Sequence, residues 1–447
     1  MFRKHKQILL LAFIFLCGTL ISVGQETVKL SLQDALKLAL QNNTNILNSE
    51  LDLKMAQKKI WETTASGLPR IDAKVAYTYY PVVPSLPATF FDPNADKNAT
   101  IALMPKQNTV GDITVSQLIF SGSYLVGLQA VKVYYGLTKQ NTEKTKLDVI
   151  ETVVNTYHML QMAEESRKIL NQNLENIDKT LYEITEMNKQ GFVEKTDVDQ
   201  LVVTGNTIRN AVNQIDSNLD MGYRLLKIQL GLEDSAKIEL TDQMESGDSL
   251  SKSSLQLISE QFNIDQNVDF QLIKTSESAA GLELKLAKSS YLPSINAFYD
   301  HTEKLKAPLL DFQPKDLIGV NMSIPIFSSG LRSSVVAQKR MSLEKAQNTT
   351  KYVSSSLVMQ ASQYQNDVKL KLERYEIQKK SKELSDDIYQ RTLEKYKQGI
   401  SSSMDLMTTQ NQYLTNLTNY YQSIYDLQGS KSKLEKLYNI NQNVENK

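Results

Sequence analysis

Residues 395–438 read KYKQGISSSMDLMTTQNQYLTNLTNYYQSIYDLQGSKSKLEKLY, and they close a segment from Leu331 to Tyr438 that contains no Pro. After the break at Gly399, apolar residues recur in steps of four, three or seven, at Leu406, Tyr413, Leu417, Tyr420, Ile424, Leu427, Leu434 and Tyr438. This spacing keeps one helix face against a neighbouring helix, so it predicts two very long antiparallel helices joined by a turn at Gly399. At ~1.5 Å per residue, the arm from Gly330 to Lys397 would be about 100 Å long, which suits a protein that crosses a wide gap.

Composition excludes several classes of protein. The 447 residues include 50 basic and 50 acidic side chains, and this balance argues against a nucleic-acid footprint, which needs clustered Lys and Arg. Residues 1–24 have a basic start, an apolar run and small residues at the end, which together predict a signal peptide. The one Cys, Cys17, lies in this segment behind Leu16, which argues against a lipoprotein signal. A mature chain without Cys excludes disulfides, zinc–thiolate sites and Cys nucleophiles.

Proline divides the rest of the chain. Pro occurs only in two windows, residues 69–105 and 293–325, and because Pro breaks helix interiors these windows predict non-helical segments between long helices. Alternating apolar and polar residues predict two strands in each window, at 70–80 and 109–120 and at 294–302 and 316–326. Each strand is about long enough to cross a bilayer when tilted. After residue 24 there is no run of about 18 apolar residues, so no membrane-spanning helix is predicted.

The pattern occurs twice. Asn43 and Asn267 are offset by 224 residues (267 − 43), and later in each half Gly191 and Gly399 are offset by 208 residues (399 − 191). In each half, the pattern predicts a helix, two strands joined by a loop, and two long helices joined by a Gly turn. The same order in both halves is expected of two copies of one structural unit. We expect a first repeat over residues 25–250 and a second over residues 251–447.

Four strands per chain leave two possibilities open. The smallest membrane barrels use about eight strands, so the four are either two soluble hairpins or one share of a barrel built by several chains. Three chains would supply twelve strands around a wide lumen, and the helices would form a second, coiled-coil tube outside the membrane. The predicted fold class is therefore mainly α, with an internally duplicated unit and a strand portion that the second possibility places in a membrane β-barrel.

Several short motifs stand in a duplicated order along the chain. They are Leu30-Ser31-Leu32-Gln33-Asp34-Ala35-Leu36 with Ala39-Leu40 and Asn42-Asn43, the pairs Leu68-Pro69 and Leu292-Pro293, then Phe120-Ser121-Gly122, Phe327-Ser328-Ser329-Gly330, and the tip motifs around Gly191 and Gly399. With these motifs the chain resembles the TolC-like outer membrane efflux proteins of Gram-negative bacteria over essentially its whole mature length.

The resemblance implies an assembly and a set of partners. The expected molecule is a homotrimer with a 12-stranded barrel in the outer membrane and a long helical barrel through the periplasm. It would passively export substrates delivered by an inner-membrane transporter of RND or ABC type and a periplasmic adaptor (membrane fusion) protein. Outer membrane lipid would surround the barrel, and neither a cofactor nor nucleic acid is implied.

The resemblance also implies an adaptor-docking site at the periplasmic tips of the helical barrel. In the family these tips are small-residue turns between the long helices. The matching positions here are Gly191, Phe192 and Val193 in the first half and Gly399, Ile400 and Ser401 in the second. The same glycines would in any case serve as helix-ending turns, because Gly adopts positive φ at no steric cost.

A gate is the second implied site. In the family, acids on the inner helix after the second Gly turn form a constriction, and Asp405 falls on the first acid position while Thr408 stands at the second. Tyr396 matches a Tyr that helps to hold the gate shut, and Ser401 replaces the accompanying Arg. The alternative for Asp405 is a plain helix N-terminal charge, and its first-half counterpart Asp197 is expected to cap or support a helix start.

No catalytic constellation is present, so the sequence predicts a protein that is not an enzyme. The three His stand at positions 5, 158 and 301, and neither an H-E-x-x-H nor a phosphate-binding G-x-x-x-x-G-K-[ST] motif occurs. Two other classes stay open, a periplasmic coiled-coil adaptor and a secreted coiled-coil structural protein. An adaptor would have one hairpin between β-rich domains, and a structural protein would not explain duplicated strands of bilayer-crossing length. A periplasmic enzyme ranks last.

Overall fold

The computed structural model describes residues 27–244, 247–308 and 311–440. The predicted signal peptide at residues 1–24 lies outside them. The described residues form two compact units, one from residues 27–48, 143–267 and 357–440 and the other from residues 49–142 and 268–356. Each unit therefore contains segments from both predicted repeats.

Eight α-helices occur in the described residues. They are α1 (Leu32–Asn42), α2 (Thr44–Ala65), α3 (Gly122–Lys189), α4 (Lys195–Leu230), α5 (Gly247–Ser259), α6 (Val268–Ser289), α7 (Leu331–Lys397) and α8 (Ser403–Tyr438). The long helices predicted on either side of Gly399 are confirmed, with 67 residues in α7 and 36 in α8. Within the part of the chain that the structure describes, none of the helices combines the length and apolar character needed to cross a membrane.

The expectation of only four strands is wrong in number, because four short strands accompany the four long ones. The described strands are β1 (Thr27–Leu30), β2 (Arg70–Tyr79), β3 (Ser85–Pro87), β4 (Thr100–Ala102), β5 (Gln107–Ser121), β6 (Lys237–Leu240), β7 (Ser294–Lys304) and β8 (Asp316–Ser323). β7 runs past the predicted end because Lys304 pairs with Val110 of β5. β8 ends at Ser323 rather than at residue 326, and the nearby Pro325 has no amide hydrogen to extend the ladder.

The four long strands form one antiparallel sheet in the order β2-β5-β7-β8, so β2 and β8 are its two edges. Residues that are paired across neighbouring strands point to the same face of the sheet. The alternation of apolar and polar residues along each strand therefore gives the sheet one apolar and one polar face. One row on the apolar face consists of Ile71, Val115, Tyr299 and Ile318, and a row on the other face contains Asp72, Thr114 and Asp300. The sheet is amphipathic, and much of its apolar face is exposed in the single chain.

The helices that adjoin this sheet lie side by side in the order α2–α3–α6–α7. One polar contact marks each neighbouring pair: the Tyr124 hydroxyl donates to the Thr64 carbonyl at 3.0 Å, the Ser123 and Ser289 hydroxyls lie 3.2 Å apart, and the Lys339 ammonium lies 2.7 Å from the Glu283 carboxylate. The helix order thus follows the strand order, because each helix directly precedes or follows one long strand.

The other unit packs two antiparallel hairpins, α3 with α4 and α7 with α8. The α7–α8 register is set by Tyr389 stacked on Tyr413 at 5.6 Å and by Tyr375 beside Tyr420 at 5.9 Å. Apolar cores flank these hairpins, one containing Leu30, Ile46, Val153, Leu160 and Leu226, the other containing Leu250, Val368, Leu427 and Leu434. The short β1 and β6 form a parallel pair beside the first core.

The duplication extends to single hydrogen bonds. The buried Asn43 amide donates to the Gln229 carbonyl at 2.8 Å, and the buried Asn267 amide donates to the Leu437 carbonyl at 3.0 Å. Both acceptors lie in the last turn of a return helix, where carbonyls have no intrahelical partner. Each helix then ends in a left-handed residue, Gly231 after α4 and Asn439 after α8.

Candidate gate and docking tips

The turn between the two helices of each hairpin is built in the same way. Gly191 has φ +80° and Gly399 has φ +72°, the left-handed region that Gly adopts without steric cost. In the first turn the Phe192 amide donates to the Met187 carbonyl at 3.0 Å. In the second turn the Ile400 amide donates to the Lys395 carbonyl at 2.9 Å. These six-residue bonds are those of a Schellman motif, so the turns close helix ends whose carbonyls would otherwise be orphaned.

The tips present apolar side chains to solvent. Phe192 is 75% exposed and Ile400 is 70% exposed, although burial is the favourable state for such side chains. The residue after each is partly buried, and Val193 packs against the apolar cluster below. The Asn188 side chain donates to the Val193 carbonyl at 2.7 Å and so fixes the first turn. Each tip therefore combines a fixed backbone with an exposed apolar residue.

A small apolar cluster beneath the tips joins the two hairpins. Its buried members come from α3 and α4, and the partly buried side chains packed on it include two from the other hairpin; the set is Ile177, Ile184, Leu201 and Ile208 with Tyr396 and Leu414. Because α7 and α8 contribute to a core made by α3 and α4, the two turns are held by a common support.

Asp405 closes a capping box at the start of α8. The Ser402 hydroxyl accepts from the Asp405 amide at 3.1 Å and donates to the Asp405 carboxylate at 2.7 Å, while the Ser402 amide donates to the same carboxylate at 3.2 Å. These hydrogen bonds lower the pKa of Asp405, and its side chain stays exposed. A lowered pKa means that this stabilisation is present above the ordinary Asp range and is lost only as the pH falls through the folded value.

The other positions of the predicted gate lie close by in the chain. The Ser401 hydroxyl donates to the Asp405 carboxylate at 3.3 Å. Thr408 is exposed one turn further on, and its hydroxyl donates to the Met404 carbonyl at 2.8 Å. Asp405 is thus the charged member of this group, held ionised by a helix start.

Asp197 links the two hairpins, a role that its position in the sequence did not suggest. The Ser403 hydroxyl at the start of α8 donates to the Asp197 carboxylate in the first turn of α4. The N-cap residue of α4 is Glu194, whose side chain makes no cap hydrogen bond. Asp197 is therefore not the N-cap, but it is the acid in the first turn of α4, where a negative charge is favourable, and it also bridges the two hairpins. The only signal in the sequence was the shared offset of Asp197 and Asp405.

Tyr396 lies in the last turn of α7, and its hydroxyl is buried. Within the part of the chain that the structure describes, this hydroxyl has no hydrogen-bond partner. Burial raises the pKa of Tyr396 to about 12, and the negative charge of Asp197 adds to the rise. A buried hydroxyl without a partner costs free energy, about 1–3 kcal/mol, so the tip holds a group that a small rearrangement could satisfy.

Comparison with known proteins identifies the family. The family model described as outer membrane efflux protein matches residues 35–220 and 264–439, one segment in each half of the chain. The chain belongs to this outer membrane efflux protein family. No curated protein matches the sequence significantly.

Solved structures with the same fold are distant in sequence. CmeC, the Campylobacter jejuni outer membrane channel, is 17% identical and has a TM-score of 0.72 over 91% of this chain and 85% of its own. VceC, an outer membrane protein of Vibrio cholerae, is 13% identical with a TM-score of 0.71 over 91% and 95%. CusC, described as forming a transmembrane channel, is 14% identical with a TM-score of 0.73 over 91% of both chains.

These findings confirm the resemblance drawn from the sequence motifs. The predicted fold class, mainly α with a duplicated unit and a barrel-forming strand portion, is that of the TolC-like channels. The family also confirms the expected localisation, the outer membrane of a Gram-negative bacterium with the helical part in the periplasm. The family is one of channels rather than of enzymes.

Proposed function

We propose that the chain is the exit duct of an efflux system, through which substrates leave the cell passively. An inner-membrane transporter of RND or ABC type would supply the energy, and a periplasmic adaptor would join it to the duct. The observation that carries the proposal is the amphipathic four-stranded sheet, whose two edges are unpaired in a chain of the outer membrane efflux family.

The free edges support a shared barrel. Among the described residues, no strand pairs with the outer edges of β2 and β8, and their backbone groups would have no partner in a hydrocarbon environment unless the sheet closes. In an antiparallel sheet of four strands, the first and last strands run in opposite directions, so copies of the sheet join edge to edge in an antiparallel manner. Three copies give twelve strands, with apolar residues such as Ile71 and Ile318 toward lipid and residues such as Asp72 toward the lumen.

The gate proposal starts from the charge at the beginning of α8. Three-fold symmetry would repeat Asp405 three times around the axis, and a ring of carboxylates attracts cations. The bridge between Asp197 and Ser403 would hold the two hairpins of each copy together in the closed state. Opening would require the hairpins to separate, and this would expose the Tyr396 hydroxyl to new partners.

Planar-bilayer recordings of the purified protein test the channel and its gate together. Asp405→Asn keeps a hydrogen-bond acceptor for the helix cap but removes the charge, whereas Ser402→Ala weakens the cap and keeps the charge. We expect Asp405→Asn to lower the cation-over-anion permeability ratio by about twofold or more, because charged rings set ion selectivity. Ser402→Ala should leave that ratio unchanged.

Two outcomes would contradict this proposal. An absence of any conductance from folded, membrane-inserted protein would overturn the duct itself. Equal selectivity in the Asp405→Asn variant and the unaltered protein would leave the duct standing but remove Asp405 from the constriction, and Asp405 would then be a helix cap alone.

The tips are the proposed docking surface for the adaptor. Gly191, Phe192 and Val193 form one half of it, and Gly399, Ile400 and Ser401 form the other. The support for this assignment is the exposure of Phe192 and Ile400 on turns whose backbones are fixed by hydrogen bonds. Exposed apolar side chains on a rigid turn lose little conformational entropy on binding. A periplasmic adaptor remains a less favoured function for this chain itself, because it has two hairpins and belongs to the outer membrane family.

A further inference from the structure

The exposed face of α8 between Asp405 and Asp426 carries no charge. None of residues 406–425 is Asp, Glu, Lys, Arg or His, so the uncharged length of helix is about 30 Å. The polar side chains that are exposed or partly exposed here recur at helical spacing and share one face. We call this face the neutral stripe, and it consists of Thr408, Asn411, Gln412, Thr415, Thr418 and Gln422.

The threonines of the neutral stripe keep their hydroxyl protons within the helix. Thr408, Thr415 and Thr418 each donate to the carbonyl four residues earlier, at 2.8, 2.8 and 2.9 Å. A hydroxyl has one proton to donate, so these side chains present a methyl group and acceptor lone pairs to whatever lies beside the stripe. Such a surface is wetted by water but has neither a charge nor a free threonine donor with which to hold a solute.

The internal repeat places a matching stripe on α4. Subtracting the helix offset takes Thr415 to Thr207 (415 − 207 = 208), and the Thr207 hydroxyl likewise donates to the carbonyl four residues earlier, at 3.0 Å. The residues at the other matching positions are also uncharged: Gln200, Val203, Thr204, Asn210 and Gln214. Each half of the chain therefore contributes one uncharged stripe, and three copies would contribute six.

The charged side chains of α4 lie on a different face from its stripe. Arg209 follows Thr207 by two residues, a rotation of about 200° around the helix, and Asp216 shares the face of Arg209 because it lies seven residues further on. Both charges pair with α3, at 3.7 Å between Arg209 and Asp178 and at 2.9 Å between Arg167 and Asp216. Charge is thus present in α4 but directed away from the stripe.

The neutral stripe of α8 differs from a face that packs against another helix. In the same unit, α7 exposes Leu370, Ile377 and Leu384 at intervals of seven residues, the pattern of a packing face. The stripe of α8 contains no large apolar residue, and it also lacks the charges that an ordinary solvated helix face carries. A face that suits water but excludes charge fits the wall of an aqueous conduit.

Asp405 lies at one end of the stripe, and the next acid along α8 is neutralised. The Asp426 carboxylate lies 3.4 Å from the Lys371 ammonium and 3.3 Å from the Arg374 guanidinium. The Gln422 amide, at the end of the stripe, donates to the same carboxylate at 2.7 Å. Asp405 is therefore the one charged residue of α8 before Asp426.

We propose that the neutral stripes of α4 and α8 line the duct beyond the gate, so that Asp405 alone selects cargo by charge in this part of the duct. The cargo class that fits is neutral and cationic solutes. The carboxylates would attract a cation and repel an anion at the entrance, and the wall beyond would not retain the solute, because conduction needs sites that are weak enough to leave. This inference rests on the proposed function and deepens it by naming the wall and the charge class of the cargo.

Cysteine accessibility in planar bilayers tests the wall, in a background without other Cys once the signal segment is removed. Thr415→Cys and Thr207→Cys place a thiol on each stripe. Asn213→Cys is the matched control, because Asn213 is an exposed polar residue of α4 on the face of Arg209. A methanethiosulfonate reagent applied to conducting channels should lower the conductance of either stripe variant by about half or more, because it narrows the pore. Modification of the control, verified by mass, should leave conductance unchanged.

Cationic and anionic methanethiosulfonates of similar size then test selection by Asp405. A reagent added from the tip side passes Asp405 before it reaches the thiol of Thr415→Cys, whereas a reagent added from the strand side does not. The ratio of cationic to anionic modification rates should therefore be about threefold or more higher from the tip side, because a ring of carboxylates concentrates cations. In the Asp405→Asn background, the ratios from the two sides should agree.

The outcomes separate this proposal from the function on which it rests. Stripe thiols that stay unmodified, or that react without a change in conductance, would overturn the wall. A rate ratio that is equal from both sides in the presence of Asp405, or that still differs between the sides in Asp405→Asn, would overturn selection by Asp405 alone. These results leave the duct intact because the channels conduct, whereas a membrane-inserted trimer without conductance would overturn the proposed function itself.

Discussion

At the scale of single residues, the tips depend on two glycines whose backbone conformation other residues resist. Nothing lies within 4 Å of a Cβ atom built on Gly191 or Gly399, so the requirement for Gly comes from positive φ alone. At Gly231 the same conformation coincides with close packing, because a Cβ atom there would lie 2.5 Å from the Asn42 carbonyl oxygen. The chain itself places Asn439 in this conformation at the position equivalent to Gly231.

Substitutions at Gly191 should therefore separate backbone strain from crowding. Gly191→Ala should destabilise the turn by about 1 kcal/mol, the cost of a left-handed Ala, and should raise hydrogen exchange of the Phe192 amide about fivefold. Gly191→Asn should raise it less, because Asn tolerates this conformation. Exchange in Gly191→Ala that matches the unaltered protein would contradict the account. Gly231→Ala is the control. It adds a clash with Asn42 to the same backbone strain, so it should destabilise the protein by more than Gly191→Ala does.

The residues of the site were only partly predictable from the sequence. Gly191 and Gly399 could be predicted because each lies between two helical heptad patterns, and the turn at that point requires a residue that adopts positive φ. The bridge from Ser403 to Asp197 has no local cause, since it joins segments about two hundred residues apart and exists only when the hairpins pack. The capping box of Asp405 is a local pattern, and it accounts for an acid at this position whether or not the acid also lines a gate.

At the scale of elements, the long helices and long strands were predictable because their periodicity extends over many residues. The short strands β1 and β6 were missed, since four residues carry too little alternation and their pairing partners lie far apart in sequence. The strand ends shifted by a few residues, where pairing with a neighbour or a nearby Pro decided the boundary. Local pattern thus identifies an element, and tertiary pairing sets its end.

The tip turns are the elements whose function is most directly testable. Phe192→Ser and Ile400→Ser together should reduce export about tenfold in cells that contain the cognate adaptor and transporter, because buried apolar anchors dominate binding energy. Channel conductance in planar bilayers should stay unchanged. Tyr182→Ser is the matched control, since Tyr182 is 70% exposed on α3 but lies away from the turn. Normal export by the double variant, or an equal loss with Tyr182→Ser, would exclude the tips as the docking surface.

At the scale of the whole molecule, the duplication connects the sequence to the assembly. The offsets seen in the sequence recur as paired hydrogen bonds at Asn43 and Asn267, so the two halves share contacts as well as pattern. Within the described residues of one chain, both edges of the sheet are unpaired, and this incompleteness is the physical reason to expect closure by further copies.

The measurement that tests this account most directly is the native mass of the detergent-extracted protein from fractionated cells. The account predicts an outer-membrane protein with about three times the mass of one chain, because three sheets of four strands supply the twelve strands of the proposed barrel and leave no edge unpaired. A soluble monomer recovered from the periplasm would contradict the shared barrel and with it the exit duct.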